Sequence, residues 1–164
     1  MNTSYERQTE DKATNIWLTP PEIIQALGPF DLDPCFMDKR PWETAKHYYT
    51  EKENGLIQPW FGDVWCNPPY GEETKFWLEK CAQYKNVIAL VYARTETLMF
   101  FDHVWGYIKG IFFLKGRQRF YTPEGEKGGS AGAPSVLLTC NEDMSYRLEK
   151  CNLDGKFIKV NRGE

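Results

Sequence analysis

Apolar residues recur along this chain at two spacings that take turns, one helical and one suited to strands. Ile23, Ile24 and Leu27 follow a helical period that stops at Gly28-Pro29. Ahead of them Trp17-Leu18-Thr19-Pro20-Pro21-Glu22 reads as a helix start, with Thr19 as the N-cap, Pro20 in the first turn and Glu22 adding capping charge. Phe30 to Cys35 alternates apolar and acidic residues, which predicts a short strand carrying Asp33 at its carboxyl end. Met37 to Tyr49 follows neither period. Gly62 to Asn67 predicts a second strand, broken by Pro68-Pro69 because the first proline has no N–H to donate and holds Asn67 extended.

Phe76, Trp77 and Cys81, with the Lys80 stem, give a helical stripe within Glu72 to Tyr84. The nearly continuous apolar run Asn86 to Tyr92 fits a strand covered on both faces in a parallel sheet. A helix over Glu96 to Trp105 and a strand over Gly110 to Lys115 follow, then a turn and a partner strand near Arg117 to Tyr121. Glu124 to Ala133 is a loop, Pro134 to Cys140 a closing strand, and the tail from Asp143 has only weak signals. This alternation predicts an α/β fold of three layers with a mostly parallel sheet. A length of 164 residues suits a single domain over 1–164, with the aperiodic residues 1–14 as a mobile arm.

Composition narrows the classes. Hydrophobic residues at 41% supply a core, which excludes global disorder. No run approaches the ~20 apolar residues of a spanning helix, and Met1 to Lys12 lacks a signal peptide's apolar core, so no membrane partner is expected. Five cysteines without a Cys-x-x-Cys pair read as reduced thiols of a cytoplasmic protein. His47 and His103 stand apart without ligand-spaced partners, so no metal site is expected. A net charge of −3 confines any nucleic-acid contact to a local surface. Lys109 to Tyr121 places four cations among aromatic residues and is the best candidate; charge that protects a solvated strand edge is the alternative.

The sharpest chemistry lies in Asn67-Pro68-Pro69-Tyr70, at the end of a predicted buried strand and followed by Gly71. An aromatic amine is a poor nucleophile because its lone pair is delocalised into the ring. Methylating it requires acceptors that draw its protons out of plane and hold the nitrogen in line with the methyl donor. The Asn67 carboxamide oxygen and the Pro68 carbonyl supply two acceptors, Tyr70 offers a stacking face, and the rigidity of Pro68 and Pro69 keeps them aimed. A structural turn, with Asn67 as a local cap, is the plain alternative.

With Trp17 to Glu22, Phe30 to Cys35, Gly55-Leu56, Trp60, Trp65 to Gly71, Ala93-Arg94-Thr95 and Leu114 to Arg117 in this order, the chain resembles DNA N-6-adenine methyltransferases of the phage and prophage type. The resemblance implies a reduced Rossmann-like methyltransferase fold, S-adenosylmethionine as cofactor and double-stranded DNA as partner. It implies that Trp17, Thr19 and Pro20 close over the methionine end of the cofactor, and that Asp33, Pro34 and Cys35 hold its methionine or ribose portion. Asn67, Pro68 and Tyr70 then hold a flipped adenine. Arg94, at the carboxyl edge of the sheet, is a candidate substrate-backbone contact with a structural ion pair as the alternative, and Lys115, Arg117 and Arg119, with the Glu124 to Ala133 loop, are the candidates to grip flanking phosphates.

Two features depart from the pattern. The glycine-rich loop expected after the first strand is replaced by Asp33-Pro34-Cys35-Phe36, and Asn54 stands where an acidic residue would meet the cofactor adenine. Only about thirty residues separate Asp33 from Trp65, about the length of one crossover unit, so a reduced sheet is expected. A homodimer is one source of additional DNA-binding surface. Rival readings keep the fold and change the role, giving an RNA base or a protein glutamine as substrate, or an inactive nucleic-acid-binding module. Pro34-Cys35 as a nucleophile toward a pyrimidine ring is a weak fourth.

Overall fold

The computed structural model describes residues 17–36 and 40–161; the arm expected over residues 1–14 lies outside them. Among the described residues, seven strands form a single sheet in the order β2-β1-β3-β4-β6-β5-β7, with four helices. The strands are β1 (Leu32–Asp33), β2 (His47–Tyr48), β3 (Val64–Cys66), β4 (Val87–Tyr92), β5 (Gly110–Leu114), β6 (Ser135–Thr139) and β7 (Gly155–Lys159). The helices are α1 (Pro21–Leu27), α2 (Thr74–Tyr84), α3 (Leu98–His103) and α4 (Glu142–Lys150).

The sheet is mixed, which corrects the expectation of a mostly parallel one. β1 pairs in parallel with both β2 and β3, and β3 with β4; β6 then enters antiparallel between β4 and β5, and β7 runs antiparallel to β5. The apolar run of β4 was compatible with either arrangement, because burial on both faces, not pairing direction, is what makes a strand continuously hydrophobic. Its side chains alternate between two cores. Val87, Ala89 and Val91 pack with Trp77, Leu78 and Cys81 of α2 and Phe100 of α3. Ile88 and Leu90 pack with Ile23 and Leu27 of α1 and Met144 and Leu148 of α4. The three-layer arrangement follows from this alternation.

Three local expectations are corrected. The N-cap of α1 is Pro20 and no side chain caps it, so Thr19 is released for another partner. Arg117 to Tyr121 does not pair with β5; Tyr121 instead forms bridges with Leu18 and Lys127, and β5 takes β6 and β7 as its neighbours. The tail holds α4 and β7. Helix α4 is capped by the Asn141 side chain, which accepts from the Met144 N–H at 2.8 Å, and only Met144, Ser145 and Leu148 of it are buried. So narrow an apolar stripe reads weakly in sequence. Arg147 ties α4 to the start of β1, donating to the Pro29 carbonyl at 3.2 Å and pairing with Asp63.

The cost of disturbing this core is expected to follow burial. Leu90→Ala, in a fully enclosed position, should lower unfolding free energy by about 2–5 kcal/mol, whereas Leu98→Ala, with the parent side chain 80% exposed, should stay within about 0.5 kcal/mol; urea denaturation of both variants checks this.

Candidate active site

The loops that leave the carboxyl ends of β2, β1 and β3 lie side by side because those strands are parallel neighbours. Together with the start of α1 they enclose a cavity of about 500 Å³, within the range of small-molecule sites. Thr50, Glu51, Asn54, Gly55 and Leu56 line it from the loop after β2, Asp33 to Phe36 from the loop after β1, and Asn67 to Tyr70 from the loop after β3. Trp17, Leu18 and Thr19 line it from the chain preceding α1. The chain passes from β1 to β2 on one side and to β3 on the other, so the cavity sits where the strand order reverses, the usual ligand position in such sheets.

Asn67 is gripped by its amide nitrogen. Nδ2 donates to the Thr19 hydroxyl at 3.1 Å and reaches the Trp17 carbonyl at 3.5 Å, while Oδ1 is buried without a partner. Pro68 is buried, and the Pro69 carbonyl accepts from the Thr74 hydroxyl at 2.6 Å, which fastens the turn to the start of α2. The Tyr70 ring stacks on Tyr92, with centroids 4.4 Å apart and planes 14° from parallel, and Phe120 meets it edge-on. One face of Tyr70 is therefore taken. Its hydroxyl is buried without a partner, and burial pushes the phenol well above its ordinary pKa.

Asp33 lines the cavity but spends its carboxylate on its own loop. It pairs with Arg40 at 3.2 Å and accepts from the Thr44 hydroxyl and the Cys35 N–H. Burial raises the Asp33 carboxyl and lowers the Arg40 guanidinium, and their mutual attraction opposes both shifts. Cys35 and Cys66 lie with their sulfurs 3.8 Å apart, and burial pushes both thiols above the ordinary range. Both environments disfavour the thiolate that a Pro34-Cys35 nucleophile would need.

The glycine-rich loop missing after β1 has a substitute in the loop after β2. A Cβ on Gly55 would stand 2.1 Å from the Pro34 carbonyl oxygen, so only glycine allows the two loops to meet. Asn54 shapes the same turn, with φ at 57° and its side chain accepting from the Leu56 N–H at 3.1 Å. Lys80 of α2 completes it by donating to the carbonyls of Gly55, Leu56 and Gln58, and the Trp60 indole also donates to Gly55. Sequence reasoning took Lys80 for an apolar stem. A lysine within the apolar stripe of a helix was the signal, since a half-buried ammonium requires acceptors.

Arg117 and Arg119, two of the candidate DNA contacts, lie on the segment that covers the start of α1. Leu18 and Tyr121 exchange backbone hydrogen bonds of 2.8 and 3.1 Å, and Trp17 packs over Gly128. Arg119 donates to the Gly128 carbonyl at 2.8 Å and Arg117 to the Ala131 carbonyl at 3.3 Å, so both pin the Gly-rich loop. Lys115 forms an exposed pair with Asp154. The exposed Arg94 guanidinium lies 5.9 Å from the Tyr92 ring centroid. No helix among the described residues is long and apolar enough to cross a membrane, and no cluster of three metal-ligating side chains occurs among them.

The sequence pattern of the DNA N-6-adenine-methyltransferase (Dam) family matches residues 6–155, nearly the whole chain. The protein belongs to the DNA N-6-adenine-methyltransferase family. No curated protein and no solved structure shows significant similarity to it. The family match spans every element bordering the cavity, from the Thr19 turn to α2, and this adenine methyltransferase chain also has β6 reversed between β4 and β5.

Asp33→Ala should remove the carboxylate that pairs with the buried Arg40 guanidinium. A loss of about 3–5 kcal/mol in unfolding free energy is expected, read by guanidinium denaturation; an unchanged midpoint would mean that the pair does not brace the loop.

Proposed function

We propose that the protein transfers a methyl group from S-adenosylmethionine to the exocyclic amine of an adenine swung out of duplex DNA. The observation that carries this reading is Asn67 Oδ1, a buried acceptor with no partner on a residue that lines the cavity, in a chain of the adenine methyltransferase family. Buried acceptors are rarely left unpaired, and an incoming N–H donor resolves the deficit.

The cavity suits the cofactor in size and chemistry. Its lining joins apolar walls at Phe36, Leu56 and Trp77 to polar groups at Thr50, Glu51 and Asn54, as a purine nucleoside joined to an amino acid requires. In this reading the loops after β2 and β1 hold the cofactor, with Lys80 and Trp60 keeping the Gly55 wall in place. Asp33 acts by bracing Pro34 and Cys35 through Arg40. When bound, S-adenosylmethionine supplies an electrophilic methyl on a sulfonium centre.

Asn67 Oδ1 and the Pro68 carbonyl each accept a hydrogen bond from one N–H of the adenine amine, turning its lone pair out of the ring plane toward the methyl. Tyr70 stacks the base on the face that Tyr92 leaves clear. Extruding the base costs a few kcal/mol in unpairing and unstacking, and Lys115, Arg117 and Arg119 offset this by gripping phosphates, with Arg94 beside Tyr92. Exchanging Asp154 for a phosphate costs Lys115 little, because an exposed ion pair is worth about 1 kcal/mol or less.

The test is transfer of labelled methyl from S-adenosylmethionine to duplex DNA, followed by mass spectrometry of the nucleosides. N-6-methyladenine should form and should fall at least ~100-fold with Asn67→Ala, while calorimetric binding of the cofactor persists. Cofactor binding without a DNA product would move the substrate to RNA or protein; absence of both would favour an inactive module. Lys80→Met, which frees the Gly55 to Gln58 wall, should weaken cofactor binding about tenfold, as loss of a charge-assisted hydrogen bond does, with circular dichroism unchanged.

A further inference from the structure

We infer that Thr19 is a positioning residue that, with the Trp17 carbonyl, sets the direction of the Asn67 carboxamide so that its oxygen, and not its NH2, faces the target amine. The inference rests on the amine-methylation reading above. An asparagine side chain presents an acceptor at one end and donors at the other, and the two ends are nearly equal in size, so packing alone does not choose between them. For an amine substrate the choice decides everything. An NH2 group turned toward the adenine N–H protons would set donor against donor and repel the substrate.

The surroundings of Asn67 make the choice chemically. Nδ2 sits 3.1 Å from the Thr19 hydroxyl and 3.5 Å from the Trp17 carbonyl oxygen. A carbonyl oxygen can only accept, so the end of the amide facing Trp17 must be the NH2 end. Turning the amide over would set Oδ1 against that carbonyl and expose the NH2 where Oδ1 now stands buried and unpartnered. Thr19 is itself 3% exposed and held in place: it follows the backbone bridge of Leu18 to Tyr121, and its carbonyl accepts from the Trp42 indole at 3.2 Å. Its hydroxyl is available because Pro20, not Thr19, occupies the N-cap of α1. Tyr121 belongs to the segment that bears the candidate DNA contacts Arg117 and Arg119, so the grip on DNA and the aim of the amide share one backbone connection.

Thr19→Val keeps the shape and removes the hydroxyl, whereas Thr19→Ser keeps the hydroxyl and removes the methyl. Thr19→Val should lower kcat for N-6-methyladenine formation by about tenfold or more, the effect of losing one hydrogen bond's worth of orientation. KM for DNA should hold within about threefold, and Thr19→Ser should keep most of the rate. Thr19→Ala serves where valine prevents folding. An independent readout is the Asn67 side-chain NH2 pair in the 1H–15N spectrum, assigned by its loss in Asn67→Asp. Its exchange with water should be slow in the parent and in Thr19→Ser, and fast in Thr19→Val. Equal exchange in all three, or a serine variant as impaired as the valine one, overturns the inference. A parent that forms no N-6-methyladenine overturns the methylation reading instead, and the NH2 signal still decides whether Thr19 holds the amide.

Discussion

The parallel pairing of β1 with β2 on one side and β3 on the other is the constraint on which the site depends. Parallel strands all deliver their following loops to the same edge, so three loops far apart in sequence become adjacent walls of one cavity. The pairing is short: β1 and β2 have two residues each, and β3 has three. Such a small ladder is held mainly by burial, and Leu32, Val64, Trp65 and Cys66 are all enclosed between the helical layers. The remaining stability comes from side chains that reach across: Arg147 from α4, and Lys80 from α2.

A loop without the usual glycines needs another means of being shaped. After β1 it is an internal ion pair, Asp33 with Arg40, supported by Thr44 and the Cys35 N–H. Buried ion pairs contribute little net stability, since desolvation offsets attraction, but they tolerate few alternative geometries. After β2 it is the close contact of Gly55 with Pro34, sealed by a lysine that binds three carbonyls. The cavity walls thus keep their form through polar contacts among the lining loops themselves, Asp33 and Arg40 included.

At the other end of the cavity the aromatic groups are layered. Tyr92 closes one face of Tyr70 and Phe120 meets its edge, so a planar ligand has a single side from which to approach. The same Phe120 to Gly128 segment covers Trp17 and Leu18, and Arg119 adjoins it. In the proposed role, the surface that meets the nucleic-acid backbone and the aromatic edge of the base pocket would share one stretch of chain.

Much of this was legible in sequence where the signal was local. The break imposed by Pro68-Pro69, the helix α2 (though Phe76 of its expected stripe is exposed), the run of β4 and the acceptor-rich tetrapeptide each depend on neighbouring residues, and local sterics and hydrophobic periodicity report them directly. The Thr19 turn was legible as a turn but misread as a cap, because a cap and a long-range partner use the same hydroxyl. The reversed β6, the narrow-striped α4 and β7 were not legible, since strand direction is settled by which edges meet and by the helices that cover them. Nor were the fates of Asp33, Lys80 and Tyr92, whose partners lie 7 to 25 positions away. Sequence alone determined which residues carry acceptor groups at the candidate site. Tertiary structure decided which way each faces, because a side chain's direction is fixed by contacts that only folding brings within hydrogen-bond range.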